Sequence, residues 1–267
     1  MLQMMSSRNY IQRHPAASYF ILTFLISWLG ASLVVAPKLF NGEPIPKMDG
    51  ILMFPIMLVG PVAASIILTA LCGGKAALRA LLERILRWRV PIKWYFISLA
   101  IPPCLILTTL LVLKYFVSPA FTPNFFPIGL LFGIPAGLLE EIGWTGFALP
   151  KLRLRQNIMR AGILIGLFWG MWHLPVIDFL GAASPHGQYL LPFLVSFIAI
   201  LVAIRLLIVW IDSKTNSIPA AQFTHAVSTG CLVMLGPSTV TPAQEATWYA
   251  LYAILLWVTV LLIYKST

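Results

Sequence analysis

Two adjacent glutamates, Glu140 and Glu141, interrupt the apolar stretch GLLEEIGWTGFALPKL at residues 137–152. Two histidines, His173 and His225, lie in later stretches that are also mostly apolar. An ionisable side chain is costly to bury in apolar surroundings. These residues are therefore the first candidates for chemistry.

Their residue types suit the activation of a water molecule. Two neutral imidazoles and one carboxylate, from His173, His225 and Glu140, can hold zinc or another divalent metal and leave a position for water. A second carboxylate can take the proton from that water. The same groups can also polarise water without a metal. Each residue alone has a plainer interpretation, because a buried histidine can be a hydrogen-bonded packing residue and a glutamate can pair with Arg205.

The composition is that of an integral membrane protein. Of the 267 residues, 60% are hydrophobic and 10% are charged, whereas soluble domains are about half apolar and about a quarter charged. The mean hydropathy is +0.90. The net charge of +10 fits the basic cytoplasmic loops of membrane proteins, and no motif interleaves aromatic with basic residues as in nucleic-acid-binding proteins. The sequence thus predicts a lipid bilayer as partner and excludes nucleic acid.

The cysteines and the first apolar run support two further expectations. Cys72, Cys104 and Cys231 form no CxxC motif and no even-numbered set, which argues against a disulfide scaffold and a thiolate zinc site. The apolar run from about Tyr19 is too long for a signal peptide, and no small-residue cleavage site follows it. We therefore expect this run to be retained as the first membrane span.

Eight apolar segments are long enough to cross a bilayer, which takes about 20 residues. They are residues 19–36, 51–72, 95–118, 127–149, 161–181, 189–211, 218–236 and 246–264. The loops between them are short. Residues 1–267 are therefore predicted to form a single membrane-embedded domain, an all-α polytopic helix bundle of about eight transmembrane helices.

Basic residues cluster on one side of this predicted arrangement. They are Arg8, Arg13, Lys75, Arg79, Arg84, Arg87, Arg89, Lys93, Lys151, Arg153, Arg155, Arg160, Lys214 and Lys265. The opposite side holds Lys38, Lys47 and Lys114. The positive-inside rule therefore predicts that both termini lie in the cytoplasm.

One basic segment, residues 74–90, also has a helical apolar pattern. Its apolar residues recur at helical spacing, with arginines on the other face: Leu78, Leu81, Leu82, Ile85, Leu86 and Trp88. This pattern predicts an amphipathic helix at the cytoplasmic membrane surface.

The candidate residues lie at similar predicted depths in the bilayer. At a helical rise of about 1.5 Å per residue, Glu140 lies roughly 14 Å, His173 roughly 18 Å and His225 roughly 10 Å from the cytoplasmic edge. Asp178 falls near the outer end of its span. Three functional groups on three spans at similar depth favour a shared site over three unrelated packing residues.

Three short motifs resemble those of the CPBP family of intramembrane metalloproteases, which includes CAAX prenyl endopeptidases and bacterial Abi proteins linked to bacteriocin self-immunity. The family's EExxxR motif corresponds to EEIGWTG at residues 140–146, and its FxxxH motif to WGMWH at residues 169–173. The third motif, HxxxN, corresponds to HAVST at residues 225–229. The resemblance covers residues 125–235.

The resemblance implies a role for each motif residue. Glu140 would activate the attacking water, and His173 and His225 would hold that water or a metal ion. Thr229 would assist, and Glu141 would position or stabilise the site. Zinc or another divalent metal is the cofactor that this family suggests.

Three positions depart from the family pattern. Thr145 stands in place of the motif arginine, Trp169 in place of phenylalanine and Thr229 in place of asparagine. Arg205, which also lies within a predicted span, is expected to replace the missing arginine by pairing with Glu141.

The leading interpretation is an intramembrane endopeptidase that cleaves a peptide or a membrane-protein tail at the cytoplasmic face of a bacterial cell membrane. A second interpretation is a non-catalytic binding or bacteriocin-immunity protein on the same scaffold, which the threonines at 145 and 229 keep open. A third, a proton-coupled transporter, is disfavoured because the sequence shows no repeated halves. Nothing in the sequence identifies a prenyl pocket.

Overall fold

A computed structural model describes residues 10–266 as a bundle of α-helices, which confirms the predicted all-α polytopic fold. Arg8, one of the residues behind the predicted orientation, lies outside the described residues. The helices are α1 (Pro15–Asn41), α2 (Lys47–Met57), α3 (Val59–Ile85), α4 (Lys93–Phe116), α5 (Leu130–Gly143), α6 (Leu149–Arg153), α7 (Ile158–Trp172), α8 (Leu190–Thr215), α9 (Ile218–Leu235) and α10 (Pro242–Lys265). A π-helical turn (Trp144–Ala148) joins α5 to α6, and four 3-10 turns lie at Pro119–Phe121, Pro127–Gly129, Leu174–Phe179 and Gly187–Tyr189.

Six stretches of the described residues are long and apolar enough to cross a membrane: Pro15–Asn41, Lys47–Ile85, Lys93–Phe116, Gly187–Thr215, Ile218–Leu235 and Pro242–Lys265. They match six of the eight predicted spans. The other two, residues 127–149 and 161–181, correspond to shorter helices. The first is divided by the π-helical turn, and the second is the 15-residue helix α7.

Helix α7 ends earlier than the predicted span at 161–181. Trp172 is its last residue and His173 is its C-cap. Pro175 lacks a backbone N–H and disfavours a helical residue before it, so it ends the helix here, and a 3-10 turn follows. His173 therefore lies at a helix end, not inside a continuous span.

Small residues let the central helices approach closely. A Cβ atom added at Gly133 of α5 would lie 2.1 Å from the carbonyl oxygen of Ala226 in α9. One added at Gly166 of α7 would lie 2.7 Å from the Cα atom of Val202 in α8. Lipid tails are as apolar as the side chains, so the hydrophobic effect does not drive membrane helices together. Close backbone approach at small residues provides van der Waals packing instead. It brings α5 against α9 and α7 against α8, the four helices that carry the candidate residues.

Helix α8 lies at the centre of the bundle, because the residues on all its faces from Ile200 to Val209 are buried. A helix that is buried all round has no lipid-facing stripe. Arg205, in the middle of this stretch, has no exposed surface. It must therefore find its partners within the protein.

Helix α3 contains the predicted amphipathic segment at 74–90. The backbone breaks from helical geometry at Gly74, where φ is 60° and ψ is −152°, a conformation that glycine adopts without steric cost. Beyond this kink the helix continues to Ile85, and Leu82, Leu86 and Trp88 remain exposed. The segment is thus helical only as far as Ile85, and its amphipathic role at the membrane surface stays a prediction.

Candidate active site

The two glutamates lie in the last turn of α5, directly before the π-helical turn. There the backbone N–H of Leu149 donates to the carbonyl oxygen of Trp144, five residues back. Such turns insert one extra residue into a helix and are frequent at functional sites. The hydroxyl of Thr145, within this turn, donates a short hydrogen bond to the carboxylate of Glu141. The position of the motif arginine is thus filled by a shorter side chain that still reaches the second glutamate.

Glu141 is fully buried and bonded to three other elements of the site. Nη1 and Nη2 of Arg205 donate to its two oxygens at 2.7 and 2.9 Å. Nδ1 of His225 lies 2.7 Å from Oε1. A two-pronged guanidinium–carboxylate pair has a strongly preferred geometry and a cation that stays protonated. The expected pairing of Arg205 with Glu141 is therefore present, and α8 supplies the positive charge that Thr145 lacks.

Glu140 has different partners from its neighbour. Its Oε2 accepts hydrogen bonds from the indole N–H groups of Trp169 at 2.7 Å and of Trp144 at 3.2 Å. Its Oε1 accepts none from the described residues. Adjacent residues on a helix point about 100° apart, so Glu140 faces α7 while Glu141 faces α8 and α9. The two carboxylates hold separate positions, as the sequence indicated.

Both histidines are fixed through Nδ1. In His173, Nδ1 lies 2.8 Å from the carbonyl oxygen of Trp169, which can only accept, so Nδ1 carries the hydrogen and Nε2 is an acceptor. In His225, Nδ1 faces the Glu141 carboxylate, which assigns the same tautomer to the neutral ring. A carbonyl or carboxylate on the far nitrogen is how proteins orient a histidine whose other nitrogen binds a ligand.

Trp169 links these groups, a role that the sequence did not reveal. Its ring centroid lies 5.9 Å from that of His173 and 4.8 Å from that of His225. The guanidinium carbon of Arg205 lies 4.4 Å from the ring centroid. Tryptophan is common in membrane proteins, and the sequence identified this residue only as the one that replaces the motif phenylalanine. Its spacing of four from His173 was the available signal.

The structure does not bring all the predicted residues into direct contact. Glu141 and His225 are bonded, whereas His173 is hydrogen-bonded only to the chain of its own helix. Thr229, on the same face of α9 as His225, is half-buried, and its hydroxyl makes no hydrogen bond within the described residues. The roles assigned to Glu140, Glu141, His173, His225 and Thr229 stay predictions.

A metal site was predicted at Glu140, His173 and His225. The donor types suit zinc, but among residues 10–266 no three His, Cys, Asp or Glu side chains converge closely enough to hold a metal ion. The indole of Trp169, in contact with both imidazoles, accounts for their separation. As arranged, these residues do not form a three-ligand site, and the metal stays a prediction.

Three acceptor atoms of the site have no hydrogen-bond partner in the described protein: Oε1 of Glu140 and Nε2 of both His173 and His225. None is among the unpartnered side-chain atoms that are sealed from solvent. Each of these atoms therefore keeps some accessible surface, although Glu140 and His225 as whole residues are each only 1% exposed.

Comparison with known proteins shows that the part of the chain that contains these residues is similar to a described family. Residues 122–231 match the family described as Type II CAAX prenyl endopeptidase Rce1-like. The chain is also 26% identical over 187 residues to the CAAX prenyl protease 2 of Methanococcus maripaludis. That alignment covers 65% of this chain and 65% of the relative. The matched segment contains both glutamates, both histidines and Arg205, and so the resemblance of this integral membrane protein to the CAAX prenyl endopeptidase family is confirmed.

Proposed function

We propose that the protein is an intramembrane endopeptidase in which Glu140 activates a water molecule for attack on a peptide bond. The family match supports a protease of the CAAX type. The observation that supports the mechanism is that Oε1 of Glu140 and Nε2 of His173 and His225 accept no hydrogen bond from the described residues, while Oε2 and both Nδ1 atoms are bonded. A water molecule that attacks a peptide bond needs acceptor atoms of this kind for its two hydrogens.

Glu140 acts as the general base. The indoles of Trp144 and Trp169 hold Oε2, which leaves Oε1 to accept a proton from water. The water oxygen forms a bond to the carbonyl carbon of the peptide. Glu140 then passes the proton to the amide nitrogen as the C–N bond breaks, which yields a carboxylate and an amine. A positioned base of this kind contributes about 10²- to 10⁴-fold to a rate.

The histidines orient the water, and Thr229 assists at the carbonyl. A water molecule that donates one hydrogen to Glu140 has a second hydrogen for an imidazole Nε2. The hydroxyl of Thr229 has no hydrogen-bond partner among residues 10–266 and can donate to the carbonyl oxygen, where negative charge develops during attack. Glu141 does not touch the substrate in this mechanism. It fixes the ring of His225, and Arg205 and Thr145 fix Glu141.

The substrate is a peptide or the tail of a membrane protein, cleaved near the cytoplasmic side of the membrane. The side follows from the clustered basic residues, which place both termini in the cytoplasm by the positive-inside rule. The bacterial origin also stays a prediction.

The test uses purified protein in liposomes with a membrane-anchored peptide library, and mass spectrometry of the products. Glu140→Gln and His173→Gln should each lower cleavage by about 10²-fold or more, with the melting temperature retained. Glu83→Gln and His14→Gln, at exposed positions outside the site, are the matched controls. Retained cleavage in both site variants would overturn the mechanism. Full biological function of Glu140→Gln in cells would favour the non-catalytic binding or immunity protein.

Treatment with a chelator distinguishes a water molecule held by a metal ion from one held by the glutamate and histidines alone. If cleavage were lost after dialysis against a chelator and restored by zinc, a metal ion would be part of the site. Cleavage that survives the dialysis would show that the glutamate and histidines suffice.

A further inference from the structure

A separate pocket of about 210 Å³ lies on the other side of the π-helical turn. Its walls come from the kinked part of α3, including Cys72 and Leu81, and from the chain just after Thr145, including Phe147. None of the proposed catalytic residues lines it. It is therefore distinct from the peptidase site.

The pocket has one cation, Lys151, without an ion-pair partner among the described residues, whereas Arg84 is paired with Asp212. Arg84 and Lys151 line it, and no acidic residue does. The ammonium of Lys151 lies 5.7 Å from the ring centroid of Phe147, and no carboxylate of the described residues lies within ion-pair distance of it. A cation in this position attracts an anionic ligand.

Arg84 has an unsatisfied donor at the same wall. Its Nη2 donates to Asp212 at 2.7 Å, and its Nη1 donates to the carbonyl oxygen of Thr145 at 3.4 Å. Its Nε is buried and has no partner. Buried donors are rarely left unpaired in proteins, so an unpaired one points to a missing acceptor. A phosphate oxygen forms strong hydrogen bonds with guanidinium.

The surroundings of the pocket favour a lipid as the source of the anion. Leu82 and Leu86, on the α3 segment that forms one wall, are 52% and 64% exposed. The exposed bases Lys75 and Arg79 lie on the same segment. Apolar side chains beside basic ones match the boundary between acyl chains and head groups. A free phosphate ion would gain nothing from the apolar walls.

We propose that this pocket binds the phosphate group of an anionic phospholipid. The lipid would complete the hydrogen bonds of Arg84 and pair with Lys151. Since Arg84 also holds the carbonyl of Thr145, and the Thr145 hydroxyl holds Glu141, the lipid would stabilise the turn that positions the glutamates. That effect on cleavage rests on the proposed function, whereas lipid binding itself does not.

Cys72 provides a direct readout of occupancy, because it lines the pocket and is partly exposed. The protein would carry Cys104→Ser and Cys231→Ser, so that a maleimide reports on Cys72 alone. Nanodiscs of phosphatidylcholine would be compared with nanodiscs that also contain phosphatidylglycerol. At a lipid activity of ten times the dissociation constant, labelling of Cys72 should slow about tenfold.

Two variants distinguish lipid binding in the pocket from a general attraction between anionic lipid and basic residues. Lys151→Gln should abolish the protection of Cys72 by phosphatidylglycerol. Arg79→Gln, which changes an exposed base on α3 that does not line the pocket, should retain it. Melting temperatures establish that both variants are folded. Equal labelling in the two kinds of nanodisc, or protection that persists in Lys151→Gln, would overturn the proposal.

Two further additions identify the source of the anion in phosphatidylcholine nanodiscs. Inorganic phosphate that protects Cys72 as well as phosphatidylglycerol does would show a small-anion site instead of a lipid site. A short peptide with a free C-terminal carboxylate that protects Cys72 would assign the pocket to the substrate tail. Either result would overturn the lipid assignment. Because labelling needs no catalysis, failure of the proposed peptidase function would leave this test unaffected.

Discussion

Two of the regions that bury carboxylates satisfy them in opposite ways. The site cluster consists of Glu140, Glu141, Arg205 and His225. The loop clamp consists of Asp178, His186 and Glu245, and it holds the loop before α8. Glu141 has no exposed surface, and Glu245 is 2% exposed. These two glutamates are therefore equally buried and differ in their partners, whereas the side chain of Asp178 is 39% exposed.

The partners of the site cluster are side chains on separate helices, whereas those of the loop clamp include the backbone. Glu245 accepts hydrogen bonds from the backbone N–H groups of Ala182 and Ala183, at 3.0 and 2.7 Å. Asp178 accepts one from the backbone N–H of His186 at 2.9 Å. Backbone partners fix the course of a loop. Side-chain partners fix the orientation of groups that can react.

The free atoms differ as well. Oε1 of Glu140 and Nε2 of His225 are unpartnered but not sealed from water, whereas Nε2 of His186 is unpartnered and sealed. That nitrogen lies 3.5 Å from Oε2 of Glu245, an ion-pair distance without a well-aligned hydrogen bond. A polar group open to a small molecule marks a site for chemistry. The sealed nitrogen of His186 lies against Glu245 and supports the structure of the loop clamp.

The largest expected effect is in the site cluster, where Arg205→Gln removes the cation from a buried pair. Loss of one partner of such a pair costs about 3–5 kcal/mol, because the other charge stays buried. Denaturant unfolding in detergent measures this, with Arg79→Gln as the exposed control. The double variant with Glu141→Gln should recover part of the loss. A loss below about 1 kcal/mol, the range of exposed pairs, would contradict the role given to Arg205.

The next largest effect is in the loop clamp, where Glu245→Gln replaces one acceptor oxygen with an NH₂ group. One backbone N–H then faces a donor, and a hydrogen bond to a charged group is worth about 1.5–3 kcal/mol. The free energy of unfolding should fall by that amount while peptide cleavage keeps its rate, since the clamp touches none of the reacting groups. Glu83→Gln is the control. Loss of cleavage in a folded Glu245→Gln variant would erase the distinction between the two regions.

The two threonines of the site should differ from each other. Thr145→Val removes a hydroxyl that is bonded to Glu141, at a cost of about 1 kcal/mol, because Arg205 and His225 still hold the carboxylate. Thr229→Val removes a hydroxyl without a partner and should change stability by less than about 0.5 kcal/mol. Unfolding curves of the two variants make the comparison. Equal losses would show that Thr229 has a bond in solution that the structure lacks.

The smallest effect is a pH dependence confined to the loop clamp. Burial lowers the pKa of His186, but the interactions with Glu245 and Asp178 raise it and prevail, so this pKa lies above its usual 6.5. Stabilisation by the charged imidazole is therefore complete below pH 6.5 and is lost as the pH rises through the raised pKa. The other groups that face the ring are aromatic, Phe193 by stacking at 3.9 Å.

Melting temperatures of wild type and His186→Gln across pH test this prediction. The gap between them should be largest in mild acid and should close in alkaline buffer. Because Glu245 keeps its two backbone donors, the gap should stay below that of Glu245→Gln. If the difference in melting temperature widened as the pH rose, the charged imidazole would not be the stabilising form, and the prediction would be wrong.

Much of this arrangement was predictable from the sequence because charge is costly in lipid. The apolar segments indicated the helices, and the glutamates and histidines within them indicated the site. The pairing of Arg205 with Glu141 followed from the same reasoning, since a buried guanidinium needs a carboxylate. The separate hydrogen-bond partners of Glu140 and Glu141 agree with the helical repeat, which points adjacent residues about 100° apart.

Other features depend on the rotation and ends of helices, which hydropathy does not encode. The extra residue in the turn at Trp144–Ala148 has no sequence signature here, and it decides where Thr145 points. Whether His225 meets Glu140 or Glu141 depends on how α5 is rotated against α9. The end of α7 at Trp172 was readable from Pro175, but the apolar residues beyond it extended the predicted span to 181.

The ion pair at the centre of the bundle also constrains how the protein is made. Glu141 precedes Arg205 by 64 residues along the chain. At about 5–20 residues per second, roughly 3–13 s separate the synthesis of the two. His225 follows still later, 84 residues after Glu141. Helix α5 therefore leaves the ribosome before either partner exists. Its glutamates must stay with the insertion machinery or in water until α8 and α9 arrive, so that these helices enter the bilayer as a group and not one by one.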